Sequence, residues 1–350
     1  MKVKLNGLSI SAIATALPKN SDDFSELIQK FGEKEIKRIV ASTGITKVRV
    51  ADKGVCASDL CEAAARHIFK ELNNDPAAID GIIFISQTFD HIIPATSAIL
   101  QDKLGLPKTA VAFDIRYGCS AYIYGIYQAS LLVSSGSCSR VLLLVGDVNT
   151  PLINKSDKAL RMVLGDSGSA TIVEKGNDTL AFNIMTDGSG FDKLIIPSGG
   201  ARYPANDNSK KETERENGNI RSDENLYMDG MEITSFCLRE IPKVIDGVLE
   251  IAEWKKEEVG IFALHQTNKF IIDFLRKKMQ VHPEVVPFVI FETGNTGPAT
   301  IPHLFCVEHK RLKNENRLSK TVMCGYGVGL SWGAITVNLS NTRFFDTIEL

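Results

Sequence analysis

The chain has 350 residues, of which 44% are hydrophobic and 23% charged, a composition typical of a globular protein and unlike that of a disordered or fibrous one. Its net charge of −2 argues against nucleic acid or an anionic membrane as a partner, so an acidic partner would have to bind a local basic patch.

The cysteines and histidines indicate whether disulfide bonds or a metal site are expected. The seven cysteines form no CxxC pair and the six histidines lack metal-ligand spacing, so we expect reduced thiols and no metal site. The N-terminus lacks the apolar region of a signal peptide, and no run approaches the ~20 apolar residues of a membrane span. These features predict a cytoplasmic protein.

Strand-like runs alternate with helix-like segments along the whole chain, which indicates an α/β protein with buried strands. In the first half we predict strands at 79–86, 111–115, 141–146 and 170–174, and helices at 96–104 and 120–135. In the second half we predict helices at 231–254, 268–279 and 301–311, strands at 259–264, 321–323 and 334–339, and an extended run at 285–291.

Two short internal matches indicate that an α/β unit is duplicated. Residues 165–173 resemble residues 329–337, and residues 79–84 more weakly resemble residues 258–262. Glycine, serine and alanine are common enough for chance to produce such matches, but the similar order of elements around them favours duplication. We therefore predict two halves, 1–175 and 176–350. The polar stretch 201–225 predicts an exposed loop or a mobile flap.

Cys119 lies where a predicted strand gives way to a predicted helix. Such a turn directs backbone N–H groups and the positive end of a helix dipole at the thiol, which favours the thiolate and predicts a nucleophile able to hold an acyl group. A small buried apolar role is the alternative for a lone cysteine.

Candidate partners for this thiol follow in the second half. His265 directly follows a predicted strand, where α/β folds display site residues, although a loop histidine bound by backbone groups would look the same. Asn295 lies between glycines, and an ordinary turn is its alternative. The glycine-rich run 325–333 suits a backbone that offers N–H groups to an oxyanion, and it lacks the helix and acidic residue of a dinucleotide site.

A cysteine, a histidine and an asparagine fit one particular chemistry. The thiol attacks a thioester to give an acyl-enzyme, and two neutral hydrogen-bond donors then hold the carbonyl of a second thioester as it becomes an enolate. Decarboxylation of a malonyl group would generate that enolate without a strong base. We expect no cofactor beyond thioester substrates carried on coenzyme A or a carrier protein.

These segments, in this order, resemble the ketoacyl synthase III branch of the thiolase superfamily, the β-ketoacyl-acyl-carrier-protein synthases that start acyl chains. The resemblance spans nearly the whole chain and rests on residues 43–45, 82–86, 91–95, the turn at Cys119, and residues 165–168, 265–268, 294–296 and 325–333. It implies a five-layered αβαβα fold with a mixed five-stranded sheet in each half, and a homodimer.

The resemblance also assigns roles. It implies an acyltransferase that condenses an acyl thioester primer with malonyl-acyl carrier protein, with Cys119 as acyl acceptor, His265 and Asn295 as donors, and the N–H groups of Cys119 and Val328 as the oxyanion site. The family usually has glycine at Val328. Substrate contacts are implied at Ile93, Leu164, Gly230 and Asn268. The basic residue that helps dock the carrier protein in relatives falls at Phe270, so we expect docking instead at the nearby basic patch that contains Lys269, Arg276 and Lys277.

Departures from the family bear on the substrate. The residues that bind the nucleotide of coenzyme A in relatives correspond to Arg38, Ser42 and Lys158, which implies weaker binding of the nucleotide. Ile93 lies where relatives place a residue that reaches across the dimer to the end of the acyl chain, and isoleucine implies a larger acyl pocket than a bulky aromatic residue would leave. Two alternatives stay open: acyl transfer to an amine or alcohol without condensation, and a catalytically silent partner subunit.

Overall fold

A computed structural model describes residues 1–350. The main strands are β1 (Lys2–Leu17), β2 (Gly81–Ser86), β3 (Val111–Arg116), β4 (Arg140–Val148), β5 (Asp166–Thr186), β6 (Ile261–Leu264), β7 (Thr321–Gly327) and β8 (Ser331–Val337). The helices are α1 (Ser25–Phe31), α2 (Glu33–Thr43), α3 (Ala57–Leu72), α4 (Thr96–Lys103), α5 (Ala121–Ser134), α6 (Lys158–Arg161), α7 (Gly230–Ala252), α8 (Lys269–Met279) and α9 (Thr300–Asn314).

Two long strands, β1 and β5, join the two parts of the sheet. They pair antiparallel along most of their length, with register shifts near Leu8. The other edge of β5 pairs with β4 up to Glu174 and with β8 from Ala181 onward. Each part therefore has five strands, in the order β3-β2-β4-β5-β1 and β6-β7-β8-β5-β1, and both parts mix parallel and antiparallel pairs. The predicted boundary at residue 175 falls inside β5, close to this change of partner.

Three hydrophobic cores hold the five layers of structure together. One core lies between the two parts of the sheet and includes side chains of α5 and α9, a second packs α3 against the first part, and the third packs α7 and α8 against the second part. In strand β2, residues 82–85 are all apolar because both faces of the strand are buried: Ile83 and Ile85 belong to the central core, whereas Ile82 and Phe84 belong to the α3 core. A strand buried on both faces requires such a continuous apolar run.

Most of the predicted elements are present, and the differences are informative. The predicted extended run at 285–291 forms no strand: a short 3-10 turn covers Pro283–Val285, and the backbone beyond it binds the Gln266 side chain instead of a sheet. The polar stretch 201–225 is largely exposed, but Ser209, Asn219 and Ser222 are buried. It forms a loop held at its base by pairing of Leu194–Ile195 with Tyr227–Met228. No helix combines the length and apolar character that crossing a bilayer requires.

Candidate active site

A cavity of about 70 Å³ brings the three predicted chemical residues together. Its wall contains Cys119, His265 and Asn295, along with Val328. The remaining wall is mostly apolar or uncharged, and no lysine or arginine contributes to it. The elements explain the convergence, because Cys119 lies between β3 and α5, His265 directly follows β6, and Val328 directly follows β7.

The Cys119 thiol lies in a tightly packed turn. A Cβ added to Gly327 would lie 2.6 Å from the Cys119 Cβ and 3.0 Å from its Sγ, so the strand end can approach the cysteine this closely only as glycine. The backbone N–H groups of Val328 and of Cys119 itself act on the sulfur and lower its pKa. These are the two groups predicted for the oxyanion site.

The backbone N–H groups of this turn favour the thiolate, as the sequence predicts, but they do not make the thiolate the resting form of the free protein. Burial and the nearby Asp147 carboxylate raise the pKa of Cys119 to about 12, which outweighs the lowering by the two N–H groups. A helix terminus is worth only about 0.3–1 kcal/mol, whereas removing a charge from water costs several times more. Cys119 is therefore a neutral thiol at neutral pH.

His265 is held rigidly with one ring nitrogen free. Its backbone N–H donates to the Cys324 carbonyl at 2.8 Å, and its ring Nδ1 lies 2.6 Å from the Thr300 Oγ1. The ring is buried, packs edge-on against Tyr326, and has no partner at Nε2. Burial lowers the pKa of His265 to about 3, so the imidazole is neutral.

Asn295 is fixed by its own backbone. Its N–H donates to the Val163 carbonyl at 2.7 Å, and its carbonyl accepts from the Gly165 N–H at 3.0 Å. The side-chain Oδ1 accepts from the Gly297 N–H at 3.0 Å, which leaves the Nδ2 hydrogens without a protein acceptor. The amide therefore offers a free donor to the cavity.

The predicted substrate-binding residues do not all lie at this cavity. Of the four residues assigned to substrate, only Leu164 lines this cavity. Gly230 lines a separate surface groove, Asn268 caps α8 by accepting from the Ile271 N–H at 2.9 Å, and Ile93 is 84% exposed.

Two of the three predicted docking cations are engaged within the protein. Lys269 and Arg276 both pair with Asp273, and Arg276 also donates to the Val286 carbonyl, whereas Lys277 is exposed and without an ion pair.

Two of the three predicted nucleotide-binding positions also make internal contacts. Arg38 pairs with Glu35 at 3.0 Å. Lys158 is buried, donates to the Asn217 carbonyl, and lies 4.2 Å from the centroid of the Phe31 ring. The polar loop therefore covers one of the cations that a phosphate would need.

The sequence reasoning missed three polar residues beside the site, namely Gln87, Asp147 and Thr300. Gln87 and Asp147 line the cavity, and Thr300 orients His265. Gln87 directly follows β2 and Asp147 lies at the end of β4, so the strand-end rule that identified His265 could have found both. Nothing in the sequence signals the contact between Thr300 and His265, which are 35 positions apart.

Comparisons with known proteins agree with one another. Residues 113–188 match the family profile described as 3-oxoacyl-(acyl-carrier-protein) synthase III, and residues 249–339 match the profile of its C-terminal part. A β-ketoacyl-(acyl-carrier-protein) synthase III from Lactococcus lactis is 31% identical over 337 residues, which cover 94% of this chain and 98% of the relative. One from Syntrophomonas wolfei is 30% identical over 341 residues, covering 96% and 97%.

A crystal structure of a 3-oxoacyl-(acyl carrier protein) synthase from Burkholderia xenovorans is similar along the whole chain. It superposes with a TM-score of 0.92 at 34% identity and covers 100% of this chain and 99% of that one. This overlap confirms the predicted thiolase-like fold class.

Proposed function

The chain belongs to the 3-oxoacyl-(acyl-carrier-protein) synthase III family of acyltransferases, and we propose that it condenses an acyl thioester with malonyl-acyl carrier protein in fatty acid or related acyl-chain synthesis. One observation carries the proposal. A single cavity holds the Cys119 thiol, facing two backbone N–H groups, together with the unpartnered nitrogens His265 Nε2 and Asn295 Nδ2.

In the first step the Cys119 sulfur attacks the carbonyl carbon of the primer thioester. The resulting oxyanion accepts from the N–H groups of Cys119 and Val328, the carbon–sulfur bond to the donor breaks, and the thiol proton ends on the departing sulfur. Because the free thiol is neutral, its proton leaves during attack rather than before it. The product is an acyl-Cys119 thioester.

The tautomer of His265 suits the second step. The Thr300 Oγ1 accepts from the Gln266 N–H at 3.3 Å, so its own hydrogen is available to donate to the His265 Nδ1 at 2.6 Å. This assignment places the ring hydrogen on Nε2, which faces the cavity without a partner. His265 then acts as a neutral donor, like the Asn295 amide.

In the second step these two donors hold the carbonyl oxygen of the malonyl thioester. The bond to the malonyl carboxylate breaks, carbon dioxide leaves, and the electron pair forms an enolate whose oxygen accepts from His265 and Asn295. The enolate carbon attacks the acyl-Cys119 carbonyl, the new carbon–carbon bond forms, and the Cys119 sulfur leaves and is protonated. The product is a β-ketoacyl thioester.

The malonyl donor that we propose is an acyl carrier protein, as the names of the relatives indicate for those proteins. An acidic carrier would find the exposed cations Arg239, Lys243 and Lys278 around a groove at the start of α7, whose wall also includes Phe270. Arg239 and Lys243 both pair with Glu240 in the free chain, so a carrier carboxylate would share or replace that partner. We also propose a homodimer.

Mass spectrometry and carbon dioxide release test the proposal. The wild-type protein should gain one acyl group on Cys119 from an acyl thioester, and Cys119→Ala should gain none. His265→Ala and Asn295→Ala should still be acylated but should release carbon dioxide from malonyl-acyl carrier protein about 10²–10³-fold more slowly. Acylation without carbon dioxide release would indicate transfer to another acceptor, and no acylation would indicate a silent subunit; either result would overturn the proposal.

A further inference from the structure

Asp147 is a buried carboxylate in the wall of the same cavity as Cys119. Its Oδ1 accepts from the Ser86 Oγ at 2.8 Å, from the Gln87 N–H at 2.7 Å and from the Thr88 Oγ1 at 3.4 Å. Its Oδ2 has only the Gln87 Nε2, at 3.4 Å. One oxygen is thus well bound, and the other is nearly free.

No positive charge balances this carboxylate. No ion pair involves Asp147, and no lysine or arginine lines the cavity. The titratable groups around it are Cys61 on α3, Cys119, Cys237 on α7, His265 and Tyr326.

Burial keeps each of these neighbours uncharged at neutral pH. It raises the pKa values of the three thiols and of the Tyr326 hydroxyl, and it lowers that of His265. Burial also raises the pKa of Asp147, to about 6. Asp147 is therefore the group whose charge changes in this cavity between pH 5 and pH 8, and buried carboxylates without a counter-charge are characteristic of functional sites.

Gln87 connects this carboxylate to the turn that carries the thiol. A Cβ added to Gly118 would lie 2.9 Å from both the Cδ and the Nε2 of Gln87, so the Gln87 amide packs directly on the residue before Cys119. Asp147 holds both ends of Gln87, since it accepts from the backbone N–H and contacts the side-chain amide. A change at Asp147 therefore reaches the Cys119 turn through one side chain.

We propose that Asp147 is a positioning residue that controls the reactivity of the Cys119 thiol, by placing an uncompensated negative charge in the cavity and by holding Gln87 against the Gly118–Cys119 turn. This inference rests on the proposed role of Cys119 as the nucleophile. The ionised carboxylate opposes formation of a thiolate nearby, because like charges in a site closed to water repel strongly. It would oppose the carboxylate of a malonyl group in the same way, favouring its loss as carbon dioxide.

Alkylation of Cys119 in the full-length protein tests the inference. The rate of iodoacetamide labelling, followed on the Cys119 peptide by mass spectrometry from pH 6.5 to pH 9.5, reports the thiolate fraction. Asp147→Asn keeps the shape and an acceptor oxygen but removes the charge, and it should be labelled on the order of 3- to 10-fold faster than wild type at pH 8. Asp166→Asn is the matched control, since Asp166 is equally buried but does not line the cavity, and its profile should coincide with wild type.

A second measurement needs no substitution. The reaction of wild-type Cys119 with 4,4′-dithiodipyridine between pH 4 and pH 8 should show an inflection near pH 6, as Asp147 ionises. Coincident profiles of wild type and Asp147→Asn, an equal shift in Asp166→Asn, or a wild-type profile without the inflection would overturn the inference. If Cys119 takes no acyl group from a thioester, the proposed function fails instead; if it is acylated while the alkylation profiles coincide, only this inference fails.

Discussion

At the scale of single residues, desolvation decides the chemistry of this site more than helix dipoles do. The sequence identified Cys119, His265 and Asn295 because each lies at a strand end or between glycines, and the structure places all three in one cavity. The sequence could not predict their protonation states. These depend on how completely water is removed, and a strand-to-helix pattern gives no measure of that.

Thr300 offers a test of the proposed tautomer of His265. Thr300→Val keeps the volume but removes the hydroxyl 2.6 Å from Nδ1, so the ring hydrogen is no longer directed to Nε2. Decarboxylation should slow on the order of 10- to 100-fold, while acylation of Cys119 stays near the wild-type rate. Thr171→Val, which removes another buried hydroxyl, bound to the Tyr122 hydroxyl at 3.1 Å, should change neither step. Equal loss of both steps in Thr300→Val would contradict the assignment.

Asp147 also predicts how stability depends on pH. Its pKa is about 6 in the folded protein against an ordinary value of 3.8, so the folded state binds more protons between these values. The stabilisation by the protonated form is complete below about pH 4 and is lost as the pH rises through 6, a change of about 3 kcal/mol. Asp147→Asn should therefore gain stability relative to wild type as the pH rises from 4 to 7, measured by urea unfolding. His265 and His303 act in the opposite direction, but they are common to both proteins and cancel in the difference.

At the scale of elements, the hydrophobic pattern predicted the strands and helices whose burial is uniform along their length. The buried strands β2, β4 and β6 and the helices α5, α7, α8 and α9 lie close to their predicted positions. Strand β1 was missed because its 16 residues cross from one part of the sheet to the other, so its burial pattern changes along its length. The run at 285–291 is apolar enough for a strand, but the Gln266 side chain takes the Val289 N–H that a ladder would need.

The internal match between residues 165–173 and 329–337 breaks at an informative position. Gly168 on β5 corresponds to Trp332 on β8. A Cβ on Gly168 would lie 2.5 Å from the backbone nitrogen of Cys61 in α3, whereas Trp332 packs edge-on against Phe236 of α7 with ring centroids 5.1 Å apart. The outer helix thus approaches the first part of the sheet more closely than the second.

Because α3 lies this close to Gly168, even a methyl side chain at this position should destabilise the fold. Gly168→Ala should lower the free energy of unfolding by about 1–3 kcal/mol, because the α3 backbone at Leu60 and Cys61 leaves the new methyl group no space. Gly200→Ala is the control, since Gly200 is exposed with nothing within 4 Å of an added Cβ, and it should change stability by less than about 0.5 kcal/mol. Urea denaturation of both variants measures the difference, and equal stability of the two would show that α3 yields easily.

At the scale of the whole molecule, the layered architecture could be predicted from the order of elements together with the resemblance, and the two-half division remains a prediction. The two parts of the sheet share β1 and β5, so the halves are not separable by cutting the chain at residue 175. The sequence could not reveal this, because a strand shared by two parts of a sheet looks like two adjacent strands.

One surface of the isolated chain combines an unpaired strand edge with exposed apolar side chains, and we expect the proposed homodimer to form there. Strand β3 is an edge strand that pairs only with β2, and the loop before α4 exposes Ile92 and Ile93, whose exposed fractions are 101% and 84%. Asp114 ties the two features together, because its carboxylate accepts from the N–H groups of Thr96 and Ser97 at 2.7 and 2.8 Å. An unpaired edge beside exposed apolar side chains is a surface that soluble proteins cover.

We expect a second copy of the chain to cover it. The double variant Ile92→Asp and Ile93→Asp should shift the mass measured by light scattering from dimer to monomer, because two carboxylates would have to be buried without partners at the interface. Met231→Asp should leave the mass unchanged, since Met231 is 85% exposed but lies at the groove beside α7. If Ile93 also reaches the partner's acyl pocket, as the resemblance implies, Ile93→Trp should keep the dimer but restrict acylation of Cys119 to shorter primers. A wild-type monomer, or a double variant that remains a dimer, would show that this loop is not the contact.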